Sequence, residues 1–455
     1  MSAMRLSELA TLVDGRLLGA DRRFDGVSTD TRTLQDGELF VALHGPNFDG
    51  HDYLEAAQRR GAAGAMVERS GRAGLSTVEV PDALRGLGRL GQQWRMRSPA
   101  RVIGITGSNG KTTLKEMAAA ILARRGDVLA TRGNLNNEIG VPLTLSRLRD
   151  EQFAVIEMGA SHPGEIGYLS GLVRPDVAVL NNAGRAHLEG FGSVEGVARA
   201  KAEIINGLDT DGVFVFNADD RFAGLWRGLG AGHTCRTFGV AQVADVSSPE
   251  AAYEVVWQGG RFQARFPVLC DQGEIEVRLQ LAGEHNRMNA LAAITASLAA
   301  GASLADAEAL AELAPVAGRL CPMVGPNGAR LIDDSYNANP DSVIAALGVL
   351  SAAPGRRTLV LGDLAELGAG AQQLHSQIGE RAANFGIDRL LTTGSLSRHA
   401  GISFSGEHRH YADHAALADA LMADLSEEDS VLVKGSRSAH MEQVIQRLVA
   451  REVAC

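Results

Sequence analysis

Short apolar runs rich in β-branched residues alternate with Ala- and Leu-rich stretches of helical spacing through most of the chain. That rhythm predicts α/β units around a largely parallel sheet. In the first part, strands are expected at 39–43, 65–67 and 78–80, the last ending at Pro81, where a helix begins. A second part opens with Arg101-Val102-Ile103-Gly104-Ile105-Thr106, the apolar run of a strand buried on both faces. Further strands are expected at 153–157, 177–180 and 213–216. Between 253 and 281 the pattern turns to Gly-punctuated alternation, as in Val255-Val256-Trp257-Gln258-Gly259-Gly260-Arg261-Phe262, which predicts antiparallel hairpins appended to the parallel core. After an Ala-rich helical stretch at 290–311, a third part starts near Pro315 with strands at 330–332, 358–361, 389–391 and 430–433. The expected architecture is α/β with three domains, at 1–81, 82–314 and 315–455.

Length agrees, since 455 residues correspond to two to four domains, each able to bury its own core. Asp and Glu number 54 against 44 Lys and Arg, giving a formal net charge of −10 and no basic block, so general nucleic-acid binding is not expected. The Ala-rich stretch is interrupted by Thr295, Ser297, Gly301, Ser303 and Asp306, which suits a soluble helix and not a membrane span. Residues 1–10 contain Glu8 and no long apolar core, unlike a secretory signal. Cys235, Cys270, Cys321 and Cys455 form no CxxC pair, so a reducing, cytoplasmic setting is expected, without zinc sites or a disulfide framework.

The sharpest chemical signal is Thr106-Gly107-Ser108-Asn109-Gly110-Lys111-Thr112-Thr113, between the buried strand and a helical run at 114–122. Glycines let consecutive backbone N–H groups turn toward phosphate oxygens, and the helix N-terminus adds its dipole. Lys111 then suits the β/γ-phosphates and Thr112 suits Mg²⁺. The plainer alternative is a Gly-rich turn with a surface lysine. One departure marks a variant loop: the first glycine of the general pattern is replaced by Ile105, and Gly107 supplies the flexibility. Glu157 ends its strand at the edge that faces the ligand crevice in an open α/β sheet, where a carboxylate suits Mg²⁺ or is simply solvated. Asn181-Asn182-Ala183-Gly184-Arg185-Ala186-His187 follows the next strand, and His187 is a metal ligand, a core histidine or a surface one. Lys201 lies in a helical stretch, where a solvated lysine is the default.

Taken in order, these segments resemble the Mur ligases, ATP-dependent amide-forming enzymes of bacterial peptidoglycan precursor synthesis. The likeness extends over essentially the whole chain through Gly283-Glu284-His285-Asn286-Arg287-Met288-Asn289, Gly318-Arg319 and Asp333-Asp334-Ser335-Tyr336-Asn337-Ala338-Asn339-Pro340. The resemblance implies a uridine-nucleotide domain, a central P-loop ATPase domain and a Rossmann-like C-terminal domain binding the acceptor. It implies ATP contacts from 107–113, with adenine at Asn289, phosphates at Arg319 and ribose at Asp334. It also implies Mg²⁺, as two ions, on Thr112, Glu157, His187 and a carbamylated Lys201. Lys111, His187, Lys201 and Arg319 would be the catalytic set.

Within the family, Asp334–Pro340, Gly362-Asp363-Leu364-Ala365-Glu366-Leu367-Gly368 and Lys434-Gly435-Ser436-Arg437 resemble the branch that adds D-alanyl-D-alanine to UDP-N-acetylmuramoyl-tripeptide. Substrate contacts are then expected from Ser28, Thr29, Arg32, Asn47, Asp49 and His51 in the first domain. Asn134, Asn136 and Asn137 belong to a substrate-facing loop, or to a polar turn capping a helix. Asn337, Asn339, Lys434 and Arg437 would face the acceptor, with Lys434 or Arg437 anchoring its carboxylate, and a monomer is expected. Competing readings are the tripeptide-forming ligase, a folate polyglutamate synthase, and a P-loop switch or transport ATPase. An Asn-Lys-x-Asp motif for reading guanine is missing from the sequence.

Overall fold

The computed structural model describes residues 3–69, 74–258 and 260–449; Met1, Gly259 and Cys455, which entered the sequence reading, lie outside them. Three sheets of five or more strands organise these residues in chain order. The first has the order Arg16–Leu18, Thr77–Glu79, Gly64–Val67, Leu39–Val41, Val27–Ser28, parallel except at the first pair. The apolar run at 39–43 leaves the sheet after Val41, where the Leu43 carbonyl accepts the Gly50 N–H to close a small hairpin.

Helix Ala83–Arg97 follows, capped by Asp82, whose carboxylate accepts the Arg85 N–H at 2.8 Å. It sends Leu87, Leu90 and Trp94 into the core of the first sheet, with Trp94 5.8 Å from Phe24. On its other side Gln92 and Arg95 donate to Gly171 O and Val173 O, and Arg95 pairs with Asp176. One helix thus walls two cores.

The central sheet runs parallel through Val128–Ala130, Phe153–Glu157, Arg101–Thr106, Val177–Leu180, Val213–Asn217, Thr234–Gly239 and Val246–Ser247. Ile103, Ile105, Val155, Val177 and Val179 enter one buried cluster, while Val102, Ala154, Ile156, Ala178 and Leu180 enter the other. Burial on both faces is why these strands read as unbroken apolar runs, and each large aliphatic side chain contributes about 1.5–3 kcal/mol. Beyond them lie the expected antiparallel strands, Glu254–Gln258, Arg261–Cys270 and Gly273–Leu279. The Ala-rich stretch is two elements: helix Glu284–Ala299 and, beyond Gly301 at φ +102°, the 3₁₀ segment Leu304–Glu312.

The last sheet has the order Cys321–Val324, Arg330–Asp334, Asp429–Lys434, Arg356–Leu361, Arg389–Thr393, Glu407–Tyr411, parallel except at its first pair. Phe262 from the hairpins is buried in this sheet's core with Leu347 and Leu361. Among the described residues, no helix is long and apolar enough to cross a membrane.

Candidate active site

The carboxyl ends of the parallel strands form one edge of the central sheet, and strand order reverses beside Arg101–Thr106. The helix after that strand starts at Lys111, three residues earlier than the apolar pattern suggested, because Lys111, Thr112 and Thr113 form its first turn. Gly110 has φ +79°, and a Cβ there would sit 2.3 Å from Asn289 Oδ1, so glycine is required twice over. Lys111 Nζ folds back to donate to Gly107 O at 2.8 Å. Burial lowers its pKa, the Glu157 carboxylate opposes that, and Arg319 adds to it. The loop is braced from the next strand. Asn182 Oδ1 accepts the Asn109 N–H at 2.8 Å, and the Asn181 and Asn182 amides donate to Asn109 O. Asn289, expected at adenine, receives the Asn181 amide at 2.8 Å and donates to Asn286 of its own helix, so one end of its amide is tied to the strand that braces the loop.

Glu157 is buried at the cavity floor. Its carboxylate accepts Thr112 Oγ1–H at 2.9 Å and the Asn136 amide at 2.8 Å, while its N–H donates to Thr131 Oγ1. Buried Lys115 holds the same loop by donating to Thr131 O at 2.6 Å. Asn136 and Asn137 both line the cavity, and Asn137 also accepts the Gly140 N–H at the start of helix Gly140–Leu145. Oxygen donors on a buried carboxylate and a neighbouring hydroxyl suit a hard cation such as Mg²⁺. Among the described residues, no three His, Cys, Asp or Glu side chains cluster as metal ligands.

Lys201 is only 1% exposed and does not line the cavity; its ammonium makes neither hydrogen bond nor ion pair among the described residues and lies 5.6 Å from the Phe191 ring centroid. Desolvation, helped by repulsion from Lys111, brings its pKa down to about 7. It is no solvated helix lysine. His187 lines the cavity in a left-handed conformation, φ +52°, with Nδ1 paired to Glu366 and 3.3 Å from Ser161 Oγ.

The C-terminal sheet supplies the opposite wall of a cavity of about 880 Å³. Arg319 donates to Thr112 Oγ1 at 3.3 Å and stacks 4.3 Å from the Tyr336 ring centroid. Asp341 accepts the Arg185 backbone N–H at 2.6 Å and pairs with its guanidinium, and Asn339 reaches Asn109. Asp334 is buried and pairs with Lys434 at 2.5 Å; burial pushes its carboxyl up while Lys434 opposes the shift. Lys434 also donates to Asn337 O, so its ammonium is committed, whereas Arg437, exposed at the rim, pairs with Glu442 at 3.4 Å and lies 5.6 Å from the Tyr336 ring centroid.

The residues expected from sequence for the nucleotide, the metal and the acceptor, Ser108, Asn109, Thr113, Asn134 and Asn337 among them, line this one cavity, apart from Gly107 and Lys201. Ser28, Thr29, Arg32, Asn47, Asp49 and His51 do not. Several of those serve locally: Arg32 pairs with Asp30, and Asp49 accepts the His51 N–H and pairs with Arg69, which hold its carboxyl below the usual range. Asn181, Asn182, Arg185, Tyr336, Asp341 and Glu366 received no role from sequence. The Asn-Asn pair at a strand end beside a phosphate loop was the available signal.

A phosphate loop on a parallel sheet, closed over by a second α/β body that brings an arginine to the loop, defines a nucleotide-using enzyme of two facing lobes. The chain belongs to the Mur ligase family: profiles for the Mur ligase middle domain, the glutamate ligase domain and the catalytic domain match residues 105–297, 318–437 and 23–93. It is 45% identical over 453 residues to the UDP-N-acetylmuramoyl-tripeptide–D-alanyl-D-alanine ligase of Escherichia coli (strain K12), covering 98% of this chain and 99% of that one. The ligase of the same name from Bacillus subtilis (strain 168) is 35% identical over 98% of each chain. Among solved structures, MurF from Acinetobacter baumannii superposes with a TM-score of 0.91 at 36% identity, covering 98% of this chain and 99% of that one. MurF ligase from Thermotoga maritima in complex with ADP gives 0.83 at 28% identity, covering 94% and 98%.

Proposed function

We propose that this chain joins D-alanyl-D-alanine to UDP-N-acetylmuramoyl-tripeptide with conversion of ATP to ADP and phosphate. The observation that carries this reading is the shared cavity, in which the phosphate loop and Glu157 face Arg319, Asn339 and Arg437 across about 880 Å³. Residues 1–81 would hold the uridine nucleotide through Ser28, Thr29, Arg32, Asn47, Asp49 and His51. Residues 82–314 would hold ATP, and residues 315–455 the dipeptide. The protein would act as a monomer, and substrates of this kind belong to the cytoplasm.

The peptide carboxylate attacks the γ-phosphorus, and the β–γ bond breaks to release ADP and leave an acyl phosphate. The dipeptide amine attacks that carbonyl, loses a proton, and phosphate departs with the C–O bond electrons. Two anions must approach, so Lys111 and Arg319 neutralise charge where it grows. Asn181 and Asn182 fix the shape of the loop, Asn182 accepting the Asn109 N–H and both amides donating to Asn109 O, and the N–H groups further along the loop would be the ones left for phosphate. Thr112, Glu157 and His187 would hold Mg²⁺, which supplies further charge neutralisation. A buried lysine with pKa about 7 has a large neutral fraction at neutral pH. Neutral Lys201 could add CO₂, giving a carbamate and releasing a proton, and so turn from a cation that repels Lys111 into an anion that attracts it. Closure by the C-terminal lobe keeps water from the acyl phosphate.

The test is phosphate release measured with and without D-alanyl-D-alanine in the presence of the tripeptide nucleotide. Release that depends on the dipeptide and disappears in Lys111→Ala is the expected result. Release indifferent to any amine makes the protein a simple ATPase, and ligation of a single amino acid in place of the dipeptide moves it elsewhere in the family.

A further inference from the structure

We infer that Glu366 is a positioning residue for His187, completing a carboxylate–histidine–metal arrangement that the C-terminal lobe brings to the central one. The inference rests on the reading of His187 as a metal ligand. Glu366 Oε2 is bound to His187 Nδ1, and Ser161 Oγ lies 3.3 Å from the same nitrogen. Nε2 has no partner among the described residues, and the ring lines the cavity. A carboxylate against Nδ1 holds the proton on that nitrogen and leaves the Nε2 lone pair available. Histidines that bind metals are commonly oriented in this way, through a second interaction on the far side of the ring.

Two further observations separate this pair from an ordinary surface ion pair. Both partners are non-glycine residues in the left-handed region, His187 at φ +52° and Glu366 at φ +59°. Neither bulky side chain favours that conformation, and half-exposed ion pairs contribute too little to account for two such residues meeting. The contact is also doubled in the backbone, where the Glu189 N–H donates to the Glu366 carbonyl at 3.5 Å. Glu366 thus belongs to one lobe and orients a ligand of the other. Metal affinity and lobe closure then become two faces of one equilibrium, since each favours the other.

The experiment measures ADP binding by calorimetry, without turnover, across a Mg²⁺ titration and again in EDTA. It compares the unmodified protein with Glu366→Leu, Glu366→Gln and His187→Ala, each checked by thermal unfolding. The expected result for Glu366→Leu is a roughly tenfold or greater rise in the Mg²⁺ concentration at half-saturation, the usual scale for an outer-shell partner. Binding in EDTA stays unchanged. Glu366→Gln, whose amide oxygen still accepts from Nδ1–H, loses less. A Glu366→Leu protein with an unshifted Mg²⁺ midpoint, while His187→Ala shifts it, overturns the positioning role and leaves the metal ligand standing. Equal weakening with and without Mg²⁺ also overturns it, showing only a contact between lobes. An unshifted midpoint in His187→Ala removes the metal reading itself.

Discussion

Asn339 Nδ2 donates to Asn109 Oδ1 at 2.7 Å, joining the C-terminal lobe to the phosphate loop through two side-chain amides. The same Asn339 side chain accepts the Ser342 N–H at 2.9 Å and so caps helix Pro340–Ser351. These two jobs can be separated. Asn339→Ser keeps a capping oxygen but lacks the reach to Asn109, so stability should stay within about 0.5 kcal/mol while ADP affinity falls. Asn339→Ala should lose about 1 kcal/mol more through the missing cap. Urea unfolding and ADP titration on the two variants check this; equal ADP affinity in Asn339→Ser and the unmodified protein sinks the bridging role.

Lys201 is buried without a polar partner among the described residues, so its replacement tests chemistry more than packing. Lys201→Ala should be nearly inactive and partly recovered by short-chain carboxylates, because an added anion supplies the missing charge beside the metal. Ligation rate with and without acetate or formate is the measurement. Full activity without any additive means the lysine serves only the core.

Arg437 and Lys434 sit three residues apart yet should fail differently. Arg437→Ala, at the exposed rim, should raise the KM for D-alanyl-D-alanine by about 1.5–3 kcal/mol, roughly 10- to 150-fold, with ATP and the uridine nucleotide little affected. Lys434→Met leaves the buried Asp334 carboxylate unpaired and should cost about 3–5 kcal/mol of stability. A KM effect spread evenly over all three substrates would show that Arg437 merely holds the lobe together.

His285 should make the protein acid-sensitive. Burial, reinforced by Lys434, pushes its imidazole down from 6.5 to about 4. Above the ordinary value both folded and unfolded chains are neutral at this site, and it contributes nothing. As pH falls through that value the unfolded chain takes up a proton that the folded one refuses, so stability drops until the folded value is reached. Between about pH 7.5 and about pH 5 this amounts to about 2 kcal/mol, which His285→Gln should abolish in urea unfolding.

Much of the fold was legible because the buried strands of the two larger sheets have apolar residues on both faces. Strand Glu407–Tyr411 was not, since its sequence Glu-His-Arg-His-Tyr sits at an exposed edge where no burial shapes composition. The phosphate loop and Glu157 announced themselves through local spacing. The contacts Asn109–Asn339, Arg185–Asp341 and His187–Glu366 did not, because each joins residues far apart in sequence and depends on how two lobes meet. Sequence also could not choose between Lys434 and Arg437. The structure separates them by burial, Lys434 held inside by Asp334 and Arg437 left at the rim beside Glu442.

Helix Ala83–Arg97 carries a consequence for taking the molecule apart. Cutting at Pro81 would strip Leu87, Leu90 and Trp94 of their cover and present an apolar stripe to water, inviting self-association of the remaining fragment. Cutting after Arg97 instead keeps that core whole but takes Gln92 and Arg95 away from Gly171, Val173 and Asp176 of the central lobe. The C-terminal lobe is held to the hairpins on one side by Phe262 in its core, but it meets the loops around the phosphate site largely through polar side chains, which water can replace. The seams of this protein are therefore unequal: one is a shared wall, the other a door.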